Sequence, residues 1–238
     1  MNSPKTRAER FLNAYTEIEN YLRDSSEKHV GFKRLVKRQA KKPGPVRTNA
    51  DALQDYADLR NAILHNPRTE GRVIADPRLD IVEDIERIRD AVLDPPKVFP
   101  EFRSDVKTVK PSSSIRVVIQ EMRSKDYSQV PVKEGNSVQY LLTTNTIARW
   151  VGAHIDDEGM LLTEDTSVDA VHQHAEHEDN YVFLSRNTNL YEAVEAFQVG
   201  SDSPTYVDAA LITHSGKPDE TLLGIITASD LSLIQEQL

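Results

Sequence analysis

Cysteine is absent from the 238 residues. That excludes disulfides, thiol nucleophiles and thiolate metal sites, and it suits a reducing compartment. Long apolar runs are missing as well. No stretch approaches the roughly 20 residues that a membrane-spanning helix needs. The opening Met1-Asn2-Ser3-Pro4-Lys5 has no apolar signal core. The expectation is a soluble, cytoplasmic protein with no membrane partner. Aromatic residues are scarce, and the one tryptophan, Trp150, reads as a packing residue. The remaining composition, 38% hydrophobic and 28% charged, allows a core with a solvated surface. The length fits one large domain or two modest ones.

The net charge of −9 hides an asymmetry: +7 over residues 1–50, −4 over 51–100 and −12 over 101–238. A basic head on an acidic body fits a polyanion such as RNA. It equally fits a solvated helix face, or contact with the acidic body.

Asp94-Pro95-Pro96-Lys97-Val98-Phe99-Pro100 divides the chain, because three prolines so close together cannot continue a helix. Ahead of this break the spacing predicts four helices. The first carries Phe11, Leu12, Tyr15, Ile18 and Leu22, and the second, basic one Phe32, Leu35 and Val36. The third runs from about Asn49 to Asn66, with Thr48-x-x-Asp51 as start signal, and the fourth spans Leu79 to Leu93. Such amphipathic helices on short loops predict a four-helix bundle. Beyond the break, helices alternate with β-branched strands. Strands are expected at Gln129–Val132, Val138–Leu142, Tyr181–Leu184, Tyr206–Thr213 and Thr221–Thr227.

Gly224-Ile225-Ile226-Thr227-Ala228-Ser229-Asp230 is an apolar strand that runs into a hydroxyl and then a carboxylate at a helix start. Such a turn can hold the two hydroxyls of a ribose: the Asp accepts from both, and the Thr donates or accepts. A weaker copy lies at Tyr140-Leu141-Leu142-Thr143-Thr144-Asn145-Thr146. The helices at Ile115 and Leu190 are 75 residues apart, and Thr143 and Thr227 are 84 apart. A repeat of this size means two similar units.

This repeat resembles a tandem cystathionine-β-synthase (CBS) domain pair, here with its first unit over about 105–177 and its second over 178–238. The resemblance implies an α/β pair with two clefts, often dimeric, that takes adenine-containing ligands such as AMP, ADP or ATP. By the resemblance Thr227 and Asp230 would hold the ribose, next to Ile226, and Thr143 is the corresponding hydroxyl of the first unit. Thr146 stands where the family has Asp, and Tyr140 where it has Gly. Loss of the carboxylate removes the strongest acceptor, so one good and one weak site are expected. Arg186 is the best-placed candidate for a phosphate, with Arg123, Lys125 and Arg149 as alternatives. The pair is also readable as a dimerisation scaffold only.

In the helical region, Arg60-Asn61-x-x-x-His65 closes the third helix. Asn61 and His65 share a face, and Arg60 can reach back toward it. A His beside a fixed cation can move a 2′-hydroxyl proton while the Arg stabilises the phosphorane, with no metal. Glu17, Glu19 and Asn20 are candidates to orient the pair. The same residues also suit the open carbonyls of a helix C-terminus. The string, ending the third helix of a bundle over residues 1–94, resembles a HEPN domain. The resemblance implies a homodimer that is either a metal-independent ribonuclease or non-catalytic. Pro67 stands where one toxin subfamily has Tyr. The whole is then an α+β multidomain chain, a four-helix bundle joined through a linker at 95–104 to a CBS pair. Its expected role is nucleotide sensing, with the bundle as output and no required cofactor.

Three other signals read as structural. Val171–Asp179 carries His172, His174 and His177 in what reads as a solvated helix face rather than a metal site. Ser112-Ser113-Ser114 reads as a helix cap, and Lys217 lacks a phosphate loop.

Overall fold

The computed structural model describes residues 5–23, 30–65, 76–155, 166–198 and 206–238. They divide into two compact units: 1–96 with 189–192 and 238, and 97–188 with 193–237. No helix among the described residues is long and apolar enough to cross a membrane.

The first unit is helical: α1 (Arg7–Leu22), α2 (Phe32–Gln39), α3 (Pro45–Thr48), α4 (Ala50–His65) and α5 (Leu79–Leu93). Thr6 starts α1 with a reciprocal cap. Its hydroxyl accepts from the Glu9 N–H at 3.2 Å, and Glu9 accepts from the Thr6 N–H at 2.8 Å. The apolar stripes meet in one core, where Phe11, Ile18, Leu35, Leu53, Ile85 and Ile88 are fully buried. Each such side chain stabilises the fold by about 1.5–3 kcal/mol. Arg10 clamps Glu86 from α1 to α5 with two bonds, at 2.9 and 2.5 Å. Two details depart from expectation. Pro45–Thr48 forms a helical turn where a loop was expected, because Pro45 at its first position presets the backbone. The Thr48 hydroxyl bonds back to the Gly44 carbonyl at 3.4 Å rather than forward to the start of α4.

The second unit contains the repeat. Its first copy comprises α7 (Ile115–Lys125), β1 (Gln129–Glu134), β2 (Ser137–Thr143) and α8 (Thr144–Ala153). β1 and β2 are antiparallel, and Val109 bridges Val132 in parallel. After α9 (Val168–His172) the second copy comprises β3 (Tyr181–Ser185), α10 (Leu190–Gln198), β4 (Ala209–Thr213), β5 (Gly224–Thr227), a 3-10 turn (Ala228–Asp230) and α11 (Leu231–Glu236). Here β3 is parallel to β4, and β4 antiparallel to β5. The bridge, β1 and β2 thus repeat the order of β3, β4 and β5. The expected helix over Val171–Asp179 stops at His172, where the chain turns away.

The linker is not a free extended connection. It makes a short turn, α6 (Val98–Glu101), with Val98 fully buried. Arg103 bridges Gly224, and the Ser104 N–H donates to the Leu223 carbonyl at 3.1 Å. The segment therefore lies along β5. Gly224 permits this approach, since a Cβ there would meet the Phe102 carbonyl oxygen at 1.9 Å.

Candidate functional site

β5 delivers Thr227 to the end of the sheet, where the chain turns at once into the 3-10 turn. The Asp230 Oδ2 accepts from the Thr227 N–H at 2.7 Å and from its hydroxyl at 2.9 Å. Ser229 joins them, its hydroxyl 2.7 Å from that of Thr227. Thr227 and Asp230 are half-buried and open to solvent. Oδ2 is engaged in holding the turn. Oδ1 accepts no hydrogen bond among the described residues and remains for a diol. Ile226, the expected neighbour, is fully buried and belongs to the core.

The first copy makes the same turn with different chemistry. Thr143 caps α8, accepting the Thr146 N–H at 3.1 Å, and the two hydroxyls lie 3.1 Å apart. Thr143 is 6% exposed and Thr146 3%. This position is a closed cap with no carboxylate. Tyr140, at the place of Gly224, fills the space instead: its ring stacks on His172 at 3.6 Å, and its hydroxyl donates to Asp169 at 3.3 Å.

Sheet register decides which side chains sit level with the open turn. Tyr181 pairs with Ala209, and Ala209 with Thr227, so the three share one face. The Tyr181 hydroxyl donates to the Gln139 carbonyl at 3.4 Å, and its ring is half-buried. Asn180 and Asp208 are bonded at 2.8 Å at the same end of the sheet. Arg186 follows the opposite end of β3. Its guanidinium lies over the Phe99 ring, 4.6 Å from the centroid, on the linker segment. The structure does not bring it to Thr227 and Asp230. Ser229 was visible in the sequence as a second hydroxyl inside the turn, whereas Tyr181 had no local signal, because its place depends on pairing across β4.

In the first unit, Arg60 and Asn61 stand near the end of α4, and the His65 side chain lies outside the described residues. The Arg60 guanidinium lies over the Tyr15 ring at 5.8 Å and donates to the Asn61 Oδ1 at 3.2 Å. Burial first, and then Glu19, pushes the Tyr15 phenol up, so it stays neutral. Arg60, Asn61, Lys33, Arg34 and Glu19 line a cavity of about 480 Å³. Glu19 is held by Arg23 at 2.5 Å, and Glu17 by Arg89 at 3.5 Å. Of these two candidate orienting carboxylates, only Glu19 shares the cavity with Arg60.

Residues 101–153 match the CBS domain family. The match falls on the first copy, the one with the closed cap. No curated protein matches the chain. Several solved structures resemble it over about three fifths of its length. A putative acetoin utilization protein (AcuB) from Vibrio cholerae is 17% identical with a TM-score of 0.43, covering 59% of this chain and 90% of that one. An uncharacterized conserved protein from Pyrococcus horikoshii is 21% identical, TM-score 0.43, covering 60% and 93%. CBSX2, solved in complex with AMP, is 16% identical, TM-score 0.42, covering 60% and 97%.

Proposed function

We propose that the two copies form a CBS pair that senses an adenine nucleotide through the second copy and controls a HEPN-like helical domain, in a homodimer. The observation that carries this reading is the open Thr227–Asp230 turn. One carboxylate oxygen of this half-buried residue fixes the turn, and the other accepts no hydrogen bond among the described residues. The ribose 2′- and 3′-hydroxyls donate to Asp230, Thr227 and Ser229 supply hydroxyls at its edge, and the Tyr181 ring offers an apolar face to the base. The CBS family resemblance supplies the adenine preference.

Coupling runs through β5, which carries the turn at one end and the linker segment at the other. Ligand binds one arrangement more tightly and shifts the population toward it, and the linker passes that bias to the helices. The test is thermal denaturation of the full chain with AMP, ADP or ATP, beside Asp230→Ala. Stabilisation by at least one nucleotide that disappears in the variant supports the site. Equal stabilisation of the variant removes it.

A second reading makes the output RNA cleavage. The Arg60–Asn61 cavity favours it, since a cation stands beside open space at the end of α4. Arg60 stabilises the phosphorane and His65 moves the proton of the attacking 2′-hydroxyl. The test is cleavage of a structured RNA in chelator, with and without ATP.

A further inference from the structure

Sheet register aligns the two copies residue by residue. Val109 pairs with Val132 as Leu184 pairs with Ile212, so Lys110 and Lys133 of the first copy stand where the second has Ser185 and Thr213. This is the end of each sheet away from the two turns, since Thr143 pairs with Gln129 at the start of β1, and Thr227 with Ala209 at the start of β4. In the second copy that end is filled from within. The connection from β4 to β5 carries Glu220, whose carboxylate accepts from the Ser215 N–H at 2.6 Å and from the Ser215 hydroxyl at 2.5 Å. Those bonds hold its carboxyl at about 2, well below the usual range. The Thr213 hydroxyl accepts the Gly216 N–H at 3.0 Å. The first copy has no such connection, because β1 turns into β2 through Gly135-Asn136 alone. A cavity of about 570 Å³ stands there, with Thr108, Lys110, Ser112, Lys133 and Glu134 in its wall. Lys110 and Lys133 form no ion pair among the described residues, whereas Lys107 is held by Glu121 at 3.0 Å.

We infer that this cavity is a second ligand site, for a small phosphorylated acid or sugar, on the copy whose own turn is closed. Lys110 follows the bridge at Val109 and Lys133 lies on β1, so the two ammonium groups stem from neighbouring segments of the sheet. The second copy shows an anion held at the equivalent end: one carboxylate, with the neutral donors of Ser215. Two lysines in place of Ser185 and Thr213 match a doubly charged group instead. Lysine serves phosphate as a point charge, and the hydroxyls of Thr108 and Ser112 add donors. A lone carboxylate would leave one lysine unmatched. Glu134 shares the wall, where lysines outnumber carboxylates two to one. The volume is of small-ligand size and leaves room for an organic group beside the phosphate. No aromatic side chain lines the cavity among the described residues, so a purine has nothing to stack on there. The inference is therefore independent of nucleotide sensing at Thr227–Asp230.

The experiment is isothermal titration of the full chain with 2-phosphoglycolate, which has a phosphate but no diol for the Asp230 turn. Glycolate, the same molecule without the phosphate, is the counterpart. The expected result is saturable binding of one phosphoglycolate per chain and none of glycolate. K110Q/K133Q weakens it at least tenfold, as loss of bonds to a charged group should, while the free variant melts as the wild type does. K110R/K133R, which keeps the charge, retains binding. E134Q takes the carboxylate from the wall and tightens binding about two- to fivefold, the range of an exposed charge pair. Asp230→Ala binds phosphoglycolate as the wild type does. Absence of saturable binding overturns the inference, as does unchanged affinity in K110Q/K133Q. Equal binding of glycolate makes the cavity a carboxylate site and overturns it too. Loss of binding in Asp230→Ala puts the anion at the turn, with the same consequence.

Discussion

The hydroxyls of Thr143 and Thr146 lie 3.1 Å apart in the closed turn of the first copy, where the second copy sets Thr227 2.9 Å from a carboxylate open to solvent. One substitution, Thr for Asp, separates this closed cap from the turn proposed to accept the ligand. Thr143→Val removes the α8 cap and leaves the buried Thr146 N–H without a partner. It is expected to cost about 1–3 kcal/mol and lower the melting temperature, while nucleotide affinity stays at the wild-type value. Calorimetric unfolding and a binding isotherm check both halves.

Gly224 marks where the linker crosses β5. In Gly224→Ala the new methyl must displace the Phe102 carbonyl, which is backbone and cannot swing aside. A destabilisation of about 1–3 kcal/mol is expected, as for other overpacked sites. The displaced segment also becomes accessible, so limited proteolysis should cut between residues 97 and 105 faster than in the wild type. An unchanged digestion pattern contradicts this role for Gly224.

His172 gives the first copy a pH dependence. Burial against Tyr140 lowers its pKa, outweighing Glu178 and Asp169, which pull the other way. The unfolded chain then binds the proton more readily than the folded one. The stability is complete above the ordinary imidazole value of about 6.5 and is lost as pH falls through the depressed folded value. His172→Phe keeps the stacking and cannot titrate. Its melting temperature should therefore fall less than that of the wild type between pH 7 and pH 5, and an identical fall in both proteins contradicts the assignment.

The Arg60 reading predicts cleavage that survives chelator and disappears in both Arg60→Ala and His65→Ala. Loss of melting temperature in His65→Ala without any wild-type cleavage identifies the pair as a helix-end device. Gel analysis of a structured RNA with each protein separates the two.

Much of this was legible along the chain. Apolar spacing located α1, α2, α4 and α5, because each buries a stripe whose period is local. The turn at Thr227–Asp230 could be read because its residues are neighbours. What escaped was set by distant pairing. Tyr181 reaches the turn only through Ala209, and Arg186, two strands away in the sheet, is carried to Phe99 instead. The capture of the linker by β5 depends on a missing side chain at Gly224, which the sequence showed only as one more glycine before a strand. Nor could composition tell an open turn from a closed one, since burial of Thr143 and Thr146 follows from the packing around Tyr140.

The central claim is that one turn of the two holds ligand. Isothermal titration of the full-length protein with the nucleotide that stabilises it best tests this most directly, beside Asp230→Asn. The account predicts one ligand per chain, and an affinity loss of about 10- to 100-fold in the variant, the worth of a hydrogen bond to a charged group. Two ligands per chain, or an undiminished affinity in Asp230→Asn, would contradict it.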